Sequence, residues 1–187
     1  MFIETEGTPN PATLKFLPGQ DVMGALGTAD FASAEDAVRS PLATRLFALD
    51  GVSRIFLGGD FVTVTKDGMT DWRELRPAVL AAIMAHFMAG LPVIEGEADP
   101  GTAEDIDPAD AEVVAIIKDL LDTRVRPAVA GDGGDIVFRG FRDGVVKLKM
   151  QGACSGCPSS RATLKHGVEN MLRHYIPEVV AVEQVEA

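Results

Sequence analysis

Cys154 and Cys157 are the only cysteines in a chain of 187 residues. They stand three apart in Cys154-Ser155-Gly156-Cys157, followed at once by Pro158-Ser159-Ser160. Two intervening residues let both sulfurs face one side, a spacing that recurs in zinc and iron–sulfur sites. Such centres normally take four protein ligands, so this pair is half of a site. The other ligands would have to come from a second copy of the chain, from a partner or from a small thiol. On the residues alone four readings stay open: an iron–sulfur centre, a zinc site shared by two copies, a redox dithiol and inert structural cysteines. A thioredoxin-like dithiol expects a parallel βαβ setting, whereas a hairpin precedes this pair.

The elements around the pair are readable. Strands at Ile136–Phe141 and Val145–Met150 flank Arg142-Asp143-Gly144, a tight hairpin turn. Val146, Leu148 and Met150 alternate with Lys147 and Lys149, so one face of that hairpin is buried and the other wet. After the cysteines a helix is expected from Pro158, with Leu164, Val168, Met171, Leu172 and Tyr175 along one side, ended by Pro177 and followed by a strand over Val179–Val185. The pair thus falls between a strand and a helix N-terminus, where free amides and the helix dipole favour thiolate and a negatively charged cluster. Gly152 and Gly156 let the backbone pass close to a bulky inorganic core. Upstream, Asp107-Pro108 has the form of a cap followed by a first-turn proline, and Val113, Ile116, Ile117, Leu120 and Leu121 form a stripe. The glycines of Gly131-Asp132-Gly133-Gly134-Asp135 read as a turn at the hairpin entrance, since the Lys-Ser/Thr of a phosphate loop is missing. His166 lies off the apolar stripe and reads as exposed, and neither it nor His174 reads as a ligand.

The first half has its own pattern. Strands are expected at Phe2–Glu6 and Thr13–Leu17, and a small-residue loop follows them. A helix over Leu42–Leu49 starts from Ser40-Pro41, and a hairpin pairs Val52–Leu57 with Phe61–Lys66. A further helix carries Leu75, Val79, Ile83 and Phe87, with Asp71 and Glu74 as a capping box and Pro77 as a kink or first-turn residue. His86 reads as a packing or surface residue. Between the halves, residues 93–112 hold eight acids and no base, out of a formal net charge of −11. We therefore expect an α+β protein of two small sandwich domains, each an antiparallel sheet covered by helices. The boundaries are 1–91, an acidic flexible linker over 92–107, and 108–187. The charge argues against nucleic acid and anionic membranes as partners, and no apolar run is long enough to span a bilayer. Met1-Phe2-Ile3-Glu4-Thr5-Glu6 has no signal-peptide or presequence character, which leads us to expect a reducing bacterial cytoplasm, with the mitochondrial matrix as the alternative.

Both halves resemble the Nfu family of NifU-like proteins. Thr5-Glu6-Gly7-Thr8-Pro9-Asn10-Pro11, Leu14-Lys15-Phe16, Arg39-Ser40-Pro41-Leu42-Ala43 and Asp60-Phe61-Val62-Thr63-Val64-Thr65-Lys66 are similar to its N-terminal domain. Arg126-Pro127, Asp132-Gly133-Gly134-Asp135 and Gly152-Ala153-Cys154-Ser155-Gly156-Cys157-Pro158-Ser159-Ser160 are similar to its C-terminal signature; Ala130 departs from an acidic residue expected there. The resemblance implies a scaffold or carrier, not an enzyme. It would hold a [4Fe-4S] cluster between two protomers of a homodimer, with Cys154 and Cys157 of each as metal ligands. The cluster would pass to apo iron–sulfur acceptors, with upstream assembly proteins as further partners. The first domain would select acceptors.

Overall fold

The computed structural model describes residues 1–96 and 104–186. The chain divides into two compact units, Met1–Asp99 and Pro100–Ala187.

In the first unit, β1 (Glu4–Gly7), β2 (Thr13–Leu17), β3 (Ala29–Phe31), β4 (Val52–Leu57) and β5 (Val62–Lys66) form an antiparallel sheet in the order β1-β2-β5-β4-β3. Two helices complete it, α1 (Pro41–Phe47) and α2 (Trp72–Met88). Ser40 caps α1 as the sequence suggests, its hydroxyl accepting from the Ala43 N–H at 3.1 Å and donating to the Val93 carbonyl at 2.6 Å. Asp71 caps α2 by accepting from the Arg73 N–H, and Pro77 lies inside that helix. Leu75, Val79 and Ile83 are buried with Phe16, Phe31, Leu42, Leu46 and Ile55; His86 joins them fully buried, while Phe87 is only partly so. The small-residue stretch expected to be a loop contributes the edge strand β3, whose three residues are too few to show a period.

The second unit contains β6 (Asp105–Ile106), α3 (Ala111–Leu120), a π-helical turn at Leu121–Val125, α4 (Arg126–Gly131), β7 (Gly134–Arg142), β8 (Val145–Gly152), α5 (Pro158–Tyr175) and β9 (Ala181–Gln184). Its sheet runs β6-β7-β8-β9. The central hairpin β7–β8 is antiparallel as expected, and the two flanking strands run parallel to their neighbours. Asp143 and Gly144 both take positive φ at its turn, which matches the right-handed twist of the strands. Ile117, Leu121, Ile136, Leu148 and Leu172 are fully buried. Ile116, expected in the stripe, is half-exposed and Val114 is buried instead, so the apolar stripe of α3 is phased differently.

The expected linker is held at both ends. Ile94 is buried in the first core and the Glu95 N–H donates to the Arg39 carbonyl, while Asp105–Ile106 is paired to β7. Residues 97–103 lie outside the described residues.

Candidate functional site

The cysteine loop joins β8 to α5. The last residue of β8, Gly152, adopts φ 67°, ψ −140°, a conformation open to glycine and costly for residues with a Cβ. A single 3-10 turn, Ala153–Ser155, follows. It is tied down at both ends: the Ser155 hydroxyl donates to the Gly152 carbonyl at 2.8 Å, and the Ala153 N–H donates to the Gly133 carbonyl at 3.1 Å. Cys157 is the N-cap of α5 and Pro158 its first residue, a pairing that suits a helix start because proline lacks an N–H and has a helical φ. The first-turn amides of an 18-residue helix therefore open beside this sulfur.

The two thiols differ. Cys157 is half-buried, with Sγ 3.2 Å from the Ser159 hydroxyl. Cys154 is buried, 8% exposed, and packs in the second core. Burial pushes its thiol up to about 11, assisted by the negative charges of Asp132 and Asp135. Its seat depends on Gly134, which lies opposite Gly152 in the hairpin ladder. A Cβ on Gly134 would lie 2.7 Å from the Gln151 carbonyl oxygen and 2.8 Å from Cys154 Sγ. The absent side chain is what gives the sulfur its place.

Asp135 is 5% exposed at the side chain and is held by a two-pronged ion pair: Arg126 donates from Nε to Oδ1 at 2.9 Å and from Nη2 to Oδ2 at 3.0 Å. Asp135 Oδ1 also accepts from the Ile136 N–H, and Arg126 Nη1 reaches Asp122 at 3.1 Å. These partners, Asp135 first, raise the guanidinium above its ordinary value. Through this pair α4 is fixed to the start of β7, next in sequence to Gly134, against which Cys154 packs. Gly134, Asp135 and Arg126 are parts of the site that the sequence reading did not single out for a role; the signal was the Gly-Gly-Asp run itself, read there as a turn.

Both ligand candidates, Cys154 and Cys157, thus sit in one loop. Among the described residues no group of three or more His, Cys, Asp or Glu side chains is placed to hold a metal ion. His166 and His174 are exposed along α5. Among the described residues no helix is long and apolar enough to cross a membrane.

Comparison with known proteins covers both units. Residues 3–90 match the family model described as scaffold protein Nfu/NifU N terminal, and residues 117–183 match the NifU-like domain. The chain is 57% identical over 185 residues to the NFU1 iron-sulfur cluster scaffold homolog, mitochondrial, of Drosophila virilis, covering 99% of this chain and 62% of that protein. The corresponding Drosophila erecta protein is 56% identical, with 99% and 65% covered. The chain therefore spans slightly less than two thirds of these relatives. A solution NMR structure of a NifU-like protein from Saccharomyces cerevisiae is 27% identical, with a TM-score of 0.47 over 52% of this chain and 87% of that one. The expected bacterial cytoplasmic location is corrected by these relatives, which are named mitochondrial; an unremarkable N-terminal sequence is a poor guide to compartment. With a matching domain in each half and these relatives along almost its whole length, the chain belongs to the Nfu family of NifU-like proteins.

Proposed function

We propose that this protein is an iron–sulfur cluster scaffold or carrier whose cargo is a [4Fe-4S] cluster shared by two protomers, and that it works by ligand exchange and not by bond-making catalysis. One observation carries the reading: two thiols lie together in a glycine-shaped loop at a helix N-terminus, and no third ligand stands with them among the described residues. Relatives named as iron–sulfur cluster scaffolds support the cargo. A second copy of the loop supplies the missing thiolates most simply, which makes the homodimer the loaded form.

The chain's own residues divide the work. Cys157, at the mouth of α5, is the accessible ligand, where the free amides of the helix face an anionic ligand. Cys154 is the buried ligand. Its thiol must give up a proton to bind, and Gly134 and the Gly152 turn hold its sulfur in place. A half-buried outer thiolate is the natural point of entry for an acceptor's cysteine, which displaces Cys157 first and Cys154 afterwards. The first unit, with no cysteine, is proposed to choose the apo-protein acceptors, and assembly proteins act upstream. Its raised thiol makes Cys154 a poor attacking nucleophile, because nucleophilic cysteines have lowered values.

Anaerobic reconstitution with iron and sulfide tests this. The parent chain should develop the broad visible absorption of a cluster, and Cys154→Ser and Cys157→Ser should each abolish it. A single variant that keeps a stable cluster removes the ligand assignment.

A further inference from the structure

A second charged feature of the cluster-bearing unit has no part in that chemistry. Arg139, Arg142, Lys147 and Lys149 lie on the paired strands β7 and β8. Lys147 and Lys149 alternate with buried Val146, Leu148 and Met150, so they stand on the face of the sheet opposite the core. One acidic residue is already seated against this strip. Asp105 Oδ1 accepts from Arg142 Nη2 at 2.6 Å and Nε at 3.1 Å, and its Oδ2 accepts from Lys147 Nζ at 2.8 Å. Those bonds, from Lys147 first and then Arg142, hold its carboxyl below the usual range.

The seat is built for a backbone to come close. Asp105 belongs to the strand β6, which among the described residues pairs with β7 at Gly140 and Phe141. A Cβ on Gly140 would lie 2.6 Å from the Asp105 carbonyl oxygen and 3.0 Å from its Cβ, so glycine is what admits the strand. The occupant is nevertheless weakly held. Among the described residues two pair, and the three side chains of the ion pairs are each about a third or more exposed, a setting in which such pairs contribute little. Arg139, the extra residue at the bulge between Phe138 and Gly140, has an Nε shielded from solvent with no hydrogen-bond partner among the described residues. Shielded donors without acceptors are uncommon in folded proteins and call for an explanation. Lys149, opposite Val137 in the ladder, extends the positive strip beyond Lys147.

We propose that this strip is a docking site for an extended acidic segment of a partner protein, and that Asp105 fills part of it in cis until such a segment displaces it. Charge complementarity selects the occupant, with Asp105 as the worked example of a carboxylate in place. The close approach at Gly140 selects an extended backbone added to the outer edge of β7. The surplus cations, Arg139 and Lys149, provide for more carboxylates than the cis residue brings. This site shares no residue with the cysteine loop, so its test uses cluster-free protein and leaves the carrier reading untouched if it fails.

The probe is a short fluorescein-labelled peptide alternating Glu and Val, with a Gln-Val peptide as control, titrated with the full chain at low salt and read by anisotropy. The Glu peptide should bind and the Gln peptide should not. Asp105→Asn should tighten binding about fivefold by vacating the seat, and Lys149→Gln should weaken it about fivefold. Added salt should loosen the complex. Because Asp105→Asn could disturb β6, Arg139→Gln provides an independent variant and should also weaken binding. Equal binding of both peptides, or no loss in Lys149→Gln and Arg139→Gln, overturns the proposal. So does a single-stranded oligonucleotide that binds more tightly than the Glu peptide, since it would reveal a general anion surface.

Discussion

Replacing Gly134 with alanine should damage the cysteine site without touching the cysteines. The added Cβ would stand 2.7 Å from the Gln151 carbonyl oxygen, 2.8 Å from Cys154 Sγ and 3.3 Å from Cys154 Cβ. The carbonyl belongs to β8 and cannot retreat without bending the β7–β8 ladder, so the sulfur and the strand must both shift. Overpacking of this kind costs about 1–3 kcal/mol. Two contacts under 3 Å put the cost at the upper end of that range, about 2–3 kcal/mol, and lower entropy of the unfolded chain returns about 0.4–1 kcal/mol, leaving a net loss of about 1–2.5 kcal/mol. For a unit of this size that lowers the melting temperature by roughly 5–15 °C. The chain has one tryptophan, Trp72, in the first unit and one tyrosine, Tyr175, in the second. Trp72 fluorescence and the ring-proton NMR signals of Tyr175 therefore report the two units separately during urea unfolding. Gly134→Ala should move the Tyr175 transition and spare that of Trp72, and it should take up less iron. Gly167 is the control. It lies in α5 with nothing within 4 Å of its would-be Cβ, so Gly167→Ala should stabilise the same unit by about 1 kcal/mol. If Gly134→Ala leaves the Tyr175 transition where it was, the packing argument for the seat of Cys154 is wrong.

Three other outcomes follow from the structure. Arg126→Ala leaves Asp135 buried without its two-pronged partner and should cost the second unit about 1–3 kcal/mol in the same urea assay; Arg126→Lys should recover only part of this, because an ammonium cannot match both carboxylate oxygens. His86 is fully buried in the first unit, and burial, followed by the charge of Arg45, keeps its imidazole below the ordinary value of 6.5. The folded chain thus resists a proton that the unfolded chain accepts, so stability at the Trp72 transition is full above about pH 6.5 and falls as the pH drops below it; His86→Gln should flatten that dependence. Finally, deleting residues 1–90 should leave cluster uptake intact while slowing delivery to particular acceptors, and unchanged transfer rates to every acceptor tested would remove the recognition role of the first unit.

Local signals made much of the fold legible. Ser40-Pro41 announced α1, the Arg142-Asp143-Gly144 turn announced β7–β8, and Pro158 and Pro177 bracketed α5, because caps, turns and prolines act on their immediate neighbours. What escaped notice depends on distant pairing. β6 is two residues inside an acidic stretch whose composition reads as unstructured, and only Gly140 across the sheet gives it a seat. The contact of Gly134 with Cys154 depends on register. Counting back from the turn along a regular hairpin would set Gly134 opposite Ala153, whereas the bulge at Arg139 shifts it to Gly152. A slip of one residue changes which face of the strand a neighbour occupies, and no pattern in the sequence marks that bulge. The cysteine pair was visible at once; its unequal burial, with Cys154 buried and Cys157 half-buried, was not.

The claim that one chain supplies half of a metal site is tested most directly by native mass spectrometry of the anaerobically reconstituted protein. The expected species is two chains carrying the mass of a single [4Fe-4S] cluster, falling to bare single chains when a thiol-rich acceptor removes it. A complete cluster retained on one chain would contradict the account.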